Sequence, residues 1–227
     1  MPRAANVVAG GSSQRMGFDK SLAALGGQPL FLHSIRRFAA VDRLSALVLV
    51  GSKRNLERMK EICHEQGFES VQVVVGGAER VHSVLAGIEA LPRRECLVAV
   101  HDAARPLIRP ETIEAAYQLA ERFGGAACAE PLTDTLIRAN GELRVSENVP
   151  RENLWRMQTP QVFPAAVLYN ALQEALAKGF LPTDETSAML MAGYRAHILA
   201  TPEWNPKITY PTDFQLAEIY LSIHNKK

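Results

Sequence analysis

The chain has 227 residues, and its 25 lysines and arginines nearly balance its 24 aspartates and glutamates, so its formal net charge at pH 7 is +1. A chain this balanced has no overall field that would attract nucleic acid or an anionic membrane, and we expect neither as a partner. No apolar stretch reaches the length of a bilayer span, and the N-terminus leads into a strand-like run rather than a signal-like segment. These features predict a cytoplasmic protein.

The first element is an apolar run over residues 4–9, typical of a buried strand, which breaks into Gly10-Gly11. Glycines allow the backbone to turn tightly and to present N–H groups, so this loop is a candidate anion site. Arg15 and Lys20 follow in the same loop and add a planar donor fork and a mobile point charge. We interpret the loop as a triphosphate site, the alternative being a plain turn with two solvated cations. Its spacing matches neither a P-loop nor a dinucleotide fingerprint.

Helix-like and strand-like segments then alternate as far as residue 130. The predicted helices cover residues 29–41, 55–66, 80–91 and 111–123, and the predicted strands cover residues 46–50, 71–75, 96–100 and 126–130. This order, with continuous apolar strands, predicts a Rossmann-like three-layer α/β/α fold around a mostly parallel sheet. Ligands of such sheets bind beyond the carboxyl ends of the strands. The candidate site residues are therefore those that follow the strands, at positions 10–11, 51–53, 76–80 and 101–106.

The pattern changes after Pro131. Two β-prone segments, residues 135–138 and 143–147, flank Ala139-Asn140-Gly141, and Asn-Gly between such segments predicts a β-hairpin. The flanking side chains are mostly charged or polar, and an isolated hairpin is marginally stable in water. We therefore predict an arm at about residues 132–152 that packs on a second subunit or covers an active site. We predict a single domain over residues 1–227, with this arm as a part of it.

Regular structure resumes after the hairpin. We predict strands at residues 161–163 and 197–201 and helices at residues 164–178 and 211–223, with a further helix opened by Thr183 to Thr186. Thr183 and Thr186 with the acids between them have the chemistry of a helix N-cap, which is the structural explanation for that stretch. Lys207 lies in the turn before the closing helix.

Asp102 follows the most apolar predicted strand. A carboxylate at that end of a parallel strand could bind a ribose hydroxyl or a divalent ion, because Mg²⁺ prefers one or two carboxylates together with phosphate oxygens. The structural alternative is that Asp102 caps its own loop through Arg105. The sequence has no spacing typical of a transition-metal site, and no serine pairs recognisably with a histidine and a carboxylate.

Motifs along nearly the whole chain resemble those of the 2-C-methyl-D-erythritol 4-phosphate cytidylyltransferase family, which serves the non-mevalonate isoprenoid pathway. The first loop resembles the nucleotidyltransferase signature Ala-Gly-Gly-x-x-x-Arg-Met-Gly-x-x-Lys. The other matching stretches are Gly76-Gly77-Ala78-Glu79-Arg80 with Ser83-Val84, His101-Asp102-Ala103-Ala104-Arg105-Pro106, Asp134-Thr135, Arg151 with Trp155, Thr159-Pro160-Gln161-Val162-Phe163, Thr183-Asp184-Glu185 and Lys207-Ile208-Thr209. Each stretch is weakly specific, but their order along the chain is a strong signal.

The resemblance implies an enzyme that transfers CMP from CTP to 2-C-methyl-D-erythritol 4-phosphate and releases pyrophosphate. It also implies Mg²⁺ as cofactor, with metal ligands that no motif identifies. The implied catalytic residues are Arg15, Lys20, Arg151 and Lys207. The implied nucleotide contacts are Ala9, Gly10, Gly11, Gly77, Ala78, Ser83 and Asp102, and the implied acceptor contacts are Arg105, Thr135, Thr159 and Thr183. In this family the hairpin arm crosses to a partner, which implies a homodimer in which Thr135 and Arg151 complete the neighbouring site.

Two features depart from the family pattern. Asp19-Lys20-Ser21-Leu22 stands where the family commonly has Pro-Lys-Gln-Tyr, and it is closer to the loop of molybdopterin cofactor guanylyl- and cytidylyltransferases. Trp204 and Pro206 replace an acidic and an aliphatic residue. Three alternatives therefore stay open: a cytidylyltransferase for another polyol phosphate such as ribitol 5-phosphate, a molybdopterin nucleotidyltransferase, and a non-catalytic nucleotide-binding module.

Overall fold

The computed structural model describes residues 1–11, 20–201 and 203–224. In chain order, its strands are β1 (Arg3–Val8), β2 (Ala24–Leu25), β3 (Gln28–Pro29), β4 (Leu44–Gly51), β5 (Gln72–Val75), β6 (Leu97–Asp102), β7 (Ala126–Pro131), β8 (Leu136–Ala139), β9 (Val145–Val149), β10 (Trp155–Pro164) and β11 (His197–Ala200). Its helices are α1 (Leu30–Ala39), α2 (Leu56–Glu65), α3 (Arg80–Glu89), α4 (Pro110–Phe123), α5 (Ala165–Ala177), α6 (Glu185–Met191) and α7 (Pro211–His224).

Seven strands form one sheet in the order β11-β7-β10-β6-β1-β4-β5. Every neighbouring pair in it is parallel except the two pairs made by β10, which runs antiparallel to β6 and to β7. The predicted α/β fold with a mostly parallel sheet is thus confirmed. The sequence predicted only residues 161–163 of β10, because Arg156, Gln158, Thr159 and Pro160 interrupt the apolar run in the first half of that strand.

The sheet is covered on both faces by helices. One apolar layer joins α1, α2 and α4, with Phe31, Phe38 and Tyr117 fully buried in it. The opposite layer joins α3, α5 and α6, with Ile88 and Leu168 fully buried. Burying a side chain of this size contributes roughly 1.5–3 kcal/mol, so these helices are held mainly by their apolar faces.

A third, smaller apolar cluster joins the two ends of the chain. Leu25 and Leu30, from the β2–β3 hairpin and the start of α1, pack with Ile208 and with Leu221 of α7. Because these residues come from opposite ends of the sequence, the cluster brings the segment after the first loop next to the turn that carries Lys207.

Strands β8 and β9 pair antiparallel around the predicted Asn-Gly turn. The side-chain oxygen of Asn140 accepts hydrogen bonds of 3.0 Å from the backbone N–H groups of Glu142 and Arg144, which closes the turn. Apolar side chains on this hairpin are exposed, Leu143 by 88% and Val145 by 64%. The role of residues 132–152 as an intersubunit arm stays a prediction, as does the single domain over residues 1–227. None of the described helices is long and apolar enough to cross a membrane.

Candidate active site

A cleft of about 700 Å³ opens at the carboxyl ends of β1, β4, β5 and β6. It brings together many of the residues that the sequence singles out, although they come from distant parts of the chain. The predicted site residues that line it are Ala9, Gly10, Gly11, Lys20, Gly77, Ala78, Ser83, Asp102 and Lys207. Glu79, Arg80 and Thr209 line it as well, although the sequence analysis gave none of the three a role of its own.

Glycines occupy the ends of β4 and β5 where these strands approach α3, next to Gly77 and Ser83 of the cleft lining. The backbone N–H of Gly76 donates a 2.8 Å hydrogen bond to the carbonyl of Gly51, which joins the ends of β5 and β4. A Cβ atom at Gly76 would lie 2.4 Å from the hydroxyl oxygen of Ser83, so no larger residue fits there unless the backbone shifts. The absence of a side chain at Gly76 therefore allows the end of β5 to pack closely against Ser83 of α3.

Asp102 lies at the end of β6 between two cations. Its Oδ1 accepts from Arg80 Nε at 2.9 Å, and its Oδ2 accepts from Lys207 Nζ at 2.6 Å. Burial alone would raise the pKa of Asp102, but Arg80 and Lys207 outweigh burial and hold that pKa well below its usual range. The carboxylate is therefore ionised at neutral pH and is neutralised within the cleft.

Arg80 binds a second carboxylate, that of Glu185 at the start of α6. The two guanidinium nitrogens Nη1 and Nη2 lie 2.5 and 3.1 Å from the two carboxylate oxygens of Glu185, which is only 1% exposed. Burial raises the pKa of Glu185, and the positive charge of Arg80 opposes that rise. Sequence reasoning missed this pair, because the partners are 105 residues apart and no spacing pattern connects them.

Lys20 and Lys207 lie in the same cleft. Lys20 Nζ donates a 2.7 Å hydrogen bond to the carbonyl oxygen of Ile208, the residue that follows Lys207. The turn that carries Lys207 is fixed in its own right, since the backbone N–H groups of Thr209 and Tyr210 both donate to the Asp213 carboxylate at 2.8 Å. Arg15, which the sequence predicts beside Lys20, lies outside the described residues.

A buried hydrogen-bonded chain supports the strand end that carries Asp102. The backbone N–H of Asp102 donates to Thr159 Oγ1 at 3.1 Å, and that hydroxyl lies 3.0 Å from His101 Nδ1. His101 Nε2 lies 3.1 Å from the carbonyl oxygen of Arg105, which can only accept, so we assign the proton to Nε2 and the lone pair to Nδ1. Burial lowers the pKa of His101 to about 4 and keeps the ring neutral.

Two predicted acceptor contacts, the buried Thr159 and the partly buried Arg105, make hydrogen bonds within the protein. Thr159 is 5% exposed, and its hydroxyl is hydrogen-bonded to the backbone N–H of Asp102 and to His101 Nδ1. Arg105 donates to the carbonyls of Asn205 and Met157, at 2.7 and 3.3 Å. Burial lowers the pKa of Arg105, and its Nε is one of the buried polar atoms that lack a hydrogen-bond partner within the described part of the chain. Neither residue lines the cleft.

The remaining acceptor candidates are exposed and also lie outside the cleft lining. Thr135 precedes β8, and Arg151 follows β9 and donates to the carbonyl of Thr133. Thr183 precedes α6, but the N-cap of that helix is Asp184, whose carboxylate accepts from the N–H of Ser187 at 2.9 Å. The predicted cap formed by Thr183 and Thr186 is therefore corrected to Asp184 and Ser187, which form a complete capping box.

No group of three or more metal-binding side chains occurs among residues 1–11, 20–201 and 203–224. Among the described residues, the carboxylates of Asp102 and Glu79 line the cleft. Mg²⁺ commonly uses one or two carboxylates together with substrate phosphates, so these two residues fit an ion that arrives with a triphosphate. They do not form a complete metal site of their own.

The sheet is mostly parallel, glycine-rich loops follow its strands, and Lys20 and Lys207 line the cleft. These features are typical of the class of α/β nucleotide-binding proteins. The comparison with known proteins narrows this class. The chain belongs to the 2-C-methyl-D-erythritol 4-phosphate cytidylyltransferase (IspD) family, whose sequence profile matches residues 4–223.

Individual relatives agree with this assignment. The chain is 36% identical over 213 residues to 2-C-methyl-D-erythritol 4-phosphate cytidylyltransferase of Halalkalibacterium halodurans, covering 93% of this chain and 92% of that protein. It is 38% identical over 236 residues to the protein of the same name from Ralstonia nicotianae, covering 97% and 92%. The crystal structure of 4-diphosphocytidyl-2C-methyl-D-erythritol synthase from Anaerococcus prevotii superposes with a TM-score of 0.86 over 97% of this chain and 96% of that chain. At 24% identity, that likeness shows the fold.

Proposed function

We propose that this chain transfers CMP from CTP to 2-C-methyl-D-erythritol 4-phosphate, giving 4-diphosphocytidyl-2-C-methyl-D-erythritol and pyrophosphate. The observation that carries the proposal is the convergence of Lys20 and Lys207 on one cleft beside Asp102, in a member of the cytidylyltransferase family. Two anionic substrates can meet there because cations from both ends of the chain offset their repulsion.

The chemistry needs no general base. The attacking group is a phosphate monoester whose second pKa is about 6, so it is largely dianionic at neutral pH and has no proton to lose. Attack of its oxygen on the α-phosphorus forms one P–O bond while the bond to pyrophosphate breaks in line. Catalysis then consists of positioning and of charge stabilisation, for which Lys20 and Lys207 are placed.

We assign the nucleotide to the glycine-rich side of the cleft. The base and the phosphates bind to backbone groups of Ala9, Gly10, Gly11, Gly77 and Ala78. Ser83 lines the same part of the cleft, and Asp102 faces the ribose. Arg15 and Lys20 bind the triphosphate and stabilise charge at the α-phosphorus. A pocket that contacts the base mainly through backbone groups explains why no side-chain motif identifies cytosine.

We assign the acceptor to the side of Lys207. We also assign Arg105, Thr159 and Thr183 to the acceptor, although none of them lines the cleft in this structure. Arg105 is held near the Lys207 segment by its 2.7 Å hydrogen bond to the carbonyl of Asn205. Thr135 and Arg151 lie on or beside the exposed β8–β9 hairpin, and we propose that they enter the site of a second subunit in a homodimer. The exposed apolar side chains of the hairpin support this arrangement, because packing on a partner would remove them from water.

We propose Mg²⁺ as the cofactor, held by the triphosphate with Asp102 or Glu79 nearby. When bound, the ion would reduce negative charge on the phosphates. We further propose that the enzyme is cytoplasmic, as the sequence predicts. A chelator should abolish turnover, and added Mg²⁺ should restore it.

The test is a pyrophosphate-release assay with each of the four NTPs and with 2-C-methyl-D-erythritol 4-phosphate or ribitol 5-phosphate as acceptor. The proposal requires release with CTP and the methylerythritol phosphate at a kcat/KM above that of every other combination. Faster turnover of ribitol 5-phosphate would contradict the acceptor assignment, and tighter binding of GTP than of CTP would contradict the base. Binding of CTP without release of pyrophosphate would indicate a non-catalytic module.

A further inference from the structure

The Arg80–Glu185 ion pair joins the two loops to which the proposed function assigns the two substrates. Arg80 is the first residue of α3 and directly follows the loop of residues 76–79 on the nucleotide side. Glu185 is the first residue of α6 and follows Thr183 on the acceptor side. Two segments that are distant in sequence are thus held together by one charged contact.

All three nitrogens of the Arg80 guanidinium are engaged. Nε binds Asp102, while Nη1 and Nη2 bind the two oxygens of Glu185. A planar guanidinium held at three points has a fixed orientation as well as a fixed position. Because Glu185 binds both Nη1 and Nη2, only Nε of Arg80 binds Asp102. Lys207 binds the other carboxylate oxygen of Asp102.

The start of α6 is also attached to the sheet, but by a separate contact. Gln161 of β10 donates to Asp184 Oδ2 at 3.0 Å and accepts from the N–H of Thr186 at 2.8 Å. Gln161 therefore holds α6 to the sheet, and Arg80 holds the same helix start to the nucleotide loop. Removing Glu185 leaves the first attachment intact, so the two roles can be separated by experiment.

We propose that Glu185 is a positioning residue that acts through Arg80 on both substrates, fixing the nucleotide loop 76–79, Asp102 and the acceptor segment at Thr183 relative to one another. This inference rests on the proposed function in that it assigns one substrate to each loop. Glu185 touches neither substrate, and its effect passes through the guanidinium of Arg80.

The first test is kinetic. Glu185→Gln keeps the shape of the side chain but removes its charge, so Arg80 loses its bidentate ionic partner and is free to turn towards Asp102. We expect the KM values for CTP and for the acceptor to rise together, each by about tenfold, as is typical when one partner of a buried charged hydrogen bond is lost. The matched control is Glu174→Gln, which removes the carboxylate of an exposed ion pair with Lys178 on α5 and should leave both values unchanged.

A double-mutant cycle tests whether the effect passes through Arg80. If it does, Glu185→Gln should change the KM for CTP much less in an Arg80→Gln background than in the wild-type chain. Equal effects in the two backgrounds would overturn the proposal. Should Glu185→Gln fail to fold, Arg80→Lys provides the same comparison, because it keeps the charge but loses the two-point contact.

Hydrogen exchange separates this inference from the proposed function. Without any substrate, Glu185→Gln should speed amide exchange both in residues 181–190 and in residues 76–83. Faster exchange confined to residues 181–190, or a rise in KM for only one substrate, would overturn the coupling. If the wild-type chain releases no pyrophosphate with any acceptor, the proposed function fails, and the exchange experiment alone decides whether the ion pair couples the two loops.

Discussion

Lys207 Nζ lies 2.6 Å from Asp102 Oδ2, so the cation proposed for the acceptor phosphate is paired with the carboxylate proposed for the ribose. The Lys207 ammonium has three N–H donors, so it could bind an acceptor phosphate in addition to Asp102. Arg80 binds the other carboxylate oxygen at 2.9 Å and favours the ionised form of Asp102 independently of Lys207. The charge balance at Asp102 therefore depends on Arg80, a candidate residue to which the sequence analysis gave no role of its own.

Replacing Asp102 by Asn should reduce stability in a pH-dependent manner. The folded-state pKa of Asp102 lies well below the ordinary value of 3.8, so its ionised form contributes stability above about pH 4 and loses it as the unfolded carboxyl becomes protonated. Urea unfolding should show a constant gap in unfolding free energy between the wild type and Asp102→Asn from pH 7 to about pH 5, and a smaller gap below about pH 4. A gap that stays constant down to pH 3 would contradict the ion-pair assignment.

Replacing Lys20 by Ala should lower kcat by about a hundredfold or more, because a cation that stabilises charge developing at the α-phosphorus acts chiefly in the transition state. Steady-state pyrophosphate release measures the effect. Lys60→Ala, which removes an exposed lysine of α2, is the control and should behave as the wild type. A change confined to KM would show that Lys20 only binds the substrate.

Because of His101, the free energy of unfolding should fall as the pH drops from about 6.5 to about 4. Burial lowers its folded-state pKa from 6.5 to about 4, so in this range the unfolded chain takes up a proton that the folded chain does not. Stability is then full above pH 6.5 and falls as the pH drops, by about 3 kcal/mol at pH 4. The unfolding free energy of His101→Gln should lack this component of the pH dependence, and identical slopes in the two proteins would contradict the buried neutral ring.

Replacing Gly76 by Ala should destabilise the protein, because the added Cβ would lie 2.4 Å from Ser83 Oγ. Overpacking of this kind costs about 1–3 kcal/mol in unfolding free energy. Adding Ser83→Ala should recover part of that loss by removing the nearest atom. Gly141→Ala in the hairpin turn is the matched control, since a Cβ added there would have no non-neighbouring atom of the described residues within 4 Å. Equal losses at Gly76 and Gly141 would rule out the steric explanation.

Mixing two inactive variants should restore activity if the hairpin completes a partner's site. In a heterodimer of Lys20→Ala and Arg151→Ala subunits, one site contains both substitutions and the other contains neither. Random exchange of equal amounts should therefore give about a quarter of wild-type activity. No recovery, together with a monomeric mass in light scattering, would show that Arg151 does not act across an interface.

Local sequence patterns were sufficient for the alternation of strands and helices and for the loops at the strand ends. Apolar runs and helical periodicity depend on near neighbours, so residues 4–9 and 80–91 could be assigned with errors of a few residues. The position of a ligand cleft at the carboxyl ends of parallel strands follows from that alternation. The glycines at 10–11 and 76–77 are local signals of the same kind.

Only the tertiary structure decided which charged groups meet. The insertion of β10 antiparallel between β6 and β7, the pairing of Arg80 with Glu185 and the internal hydrogen bonds of Thr159 depend on residues tens to more than a hundred positions apart. A contact between distant residues leaves no periodic trace in the sequence, because it is set by how helices and sheet pack as a whole. The sequence by itself determined the fold class and the candidate residues, and packing determined the partners that give those residues their charge and orientation.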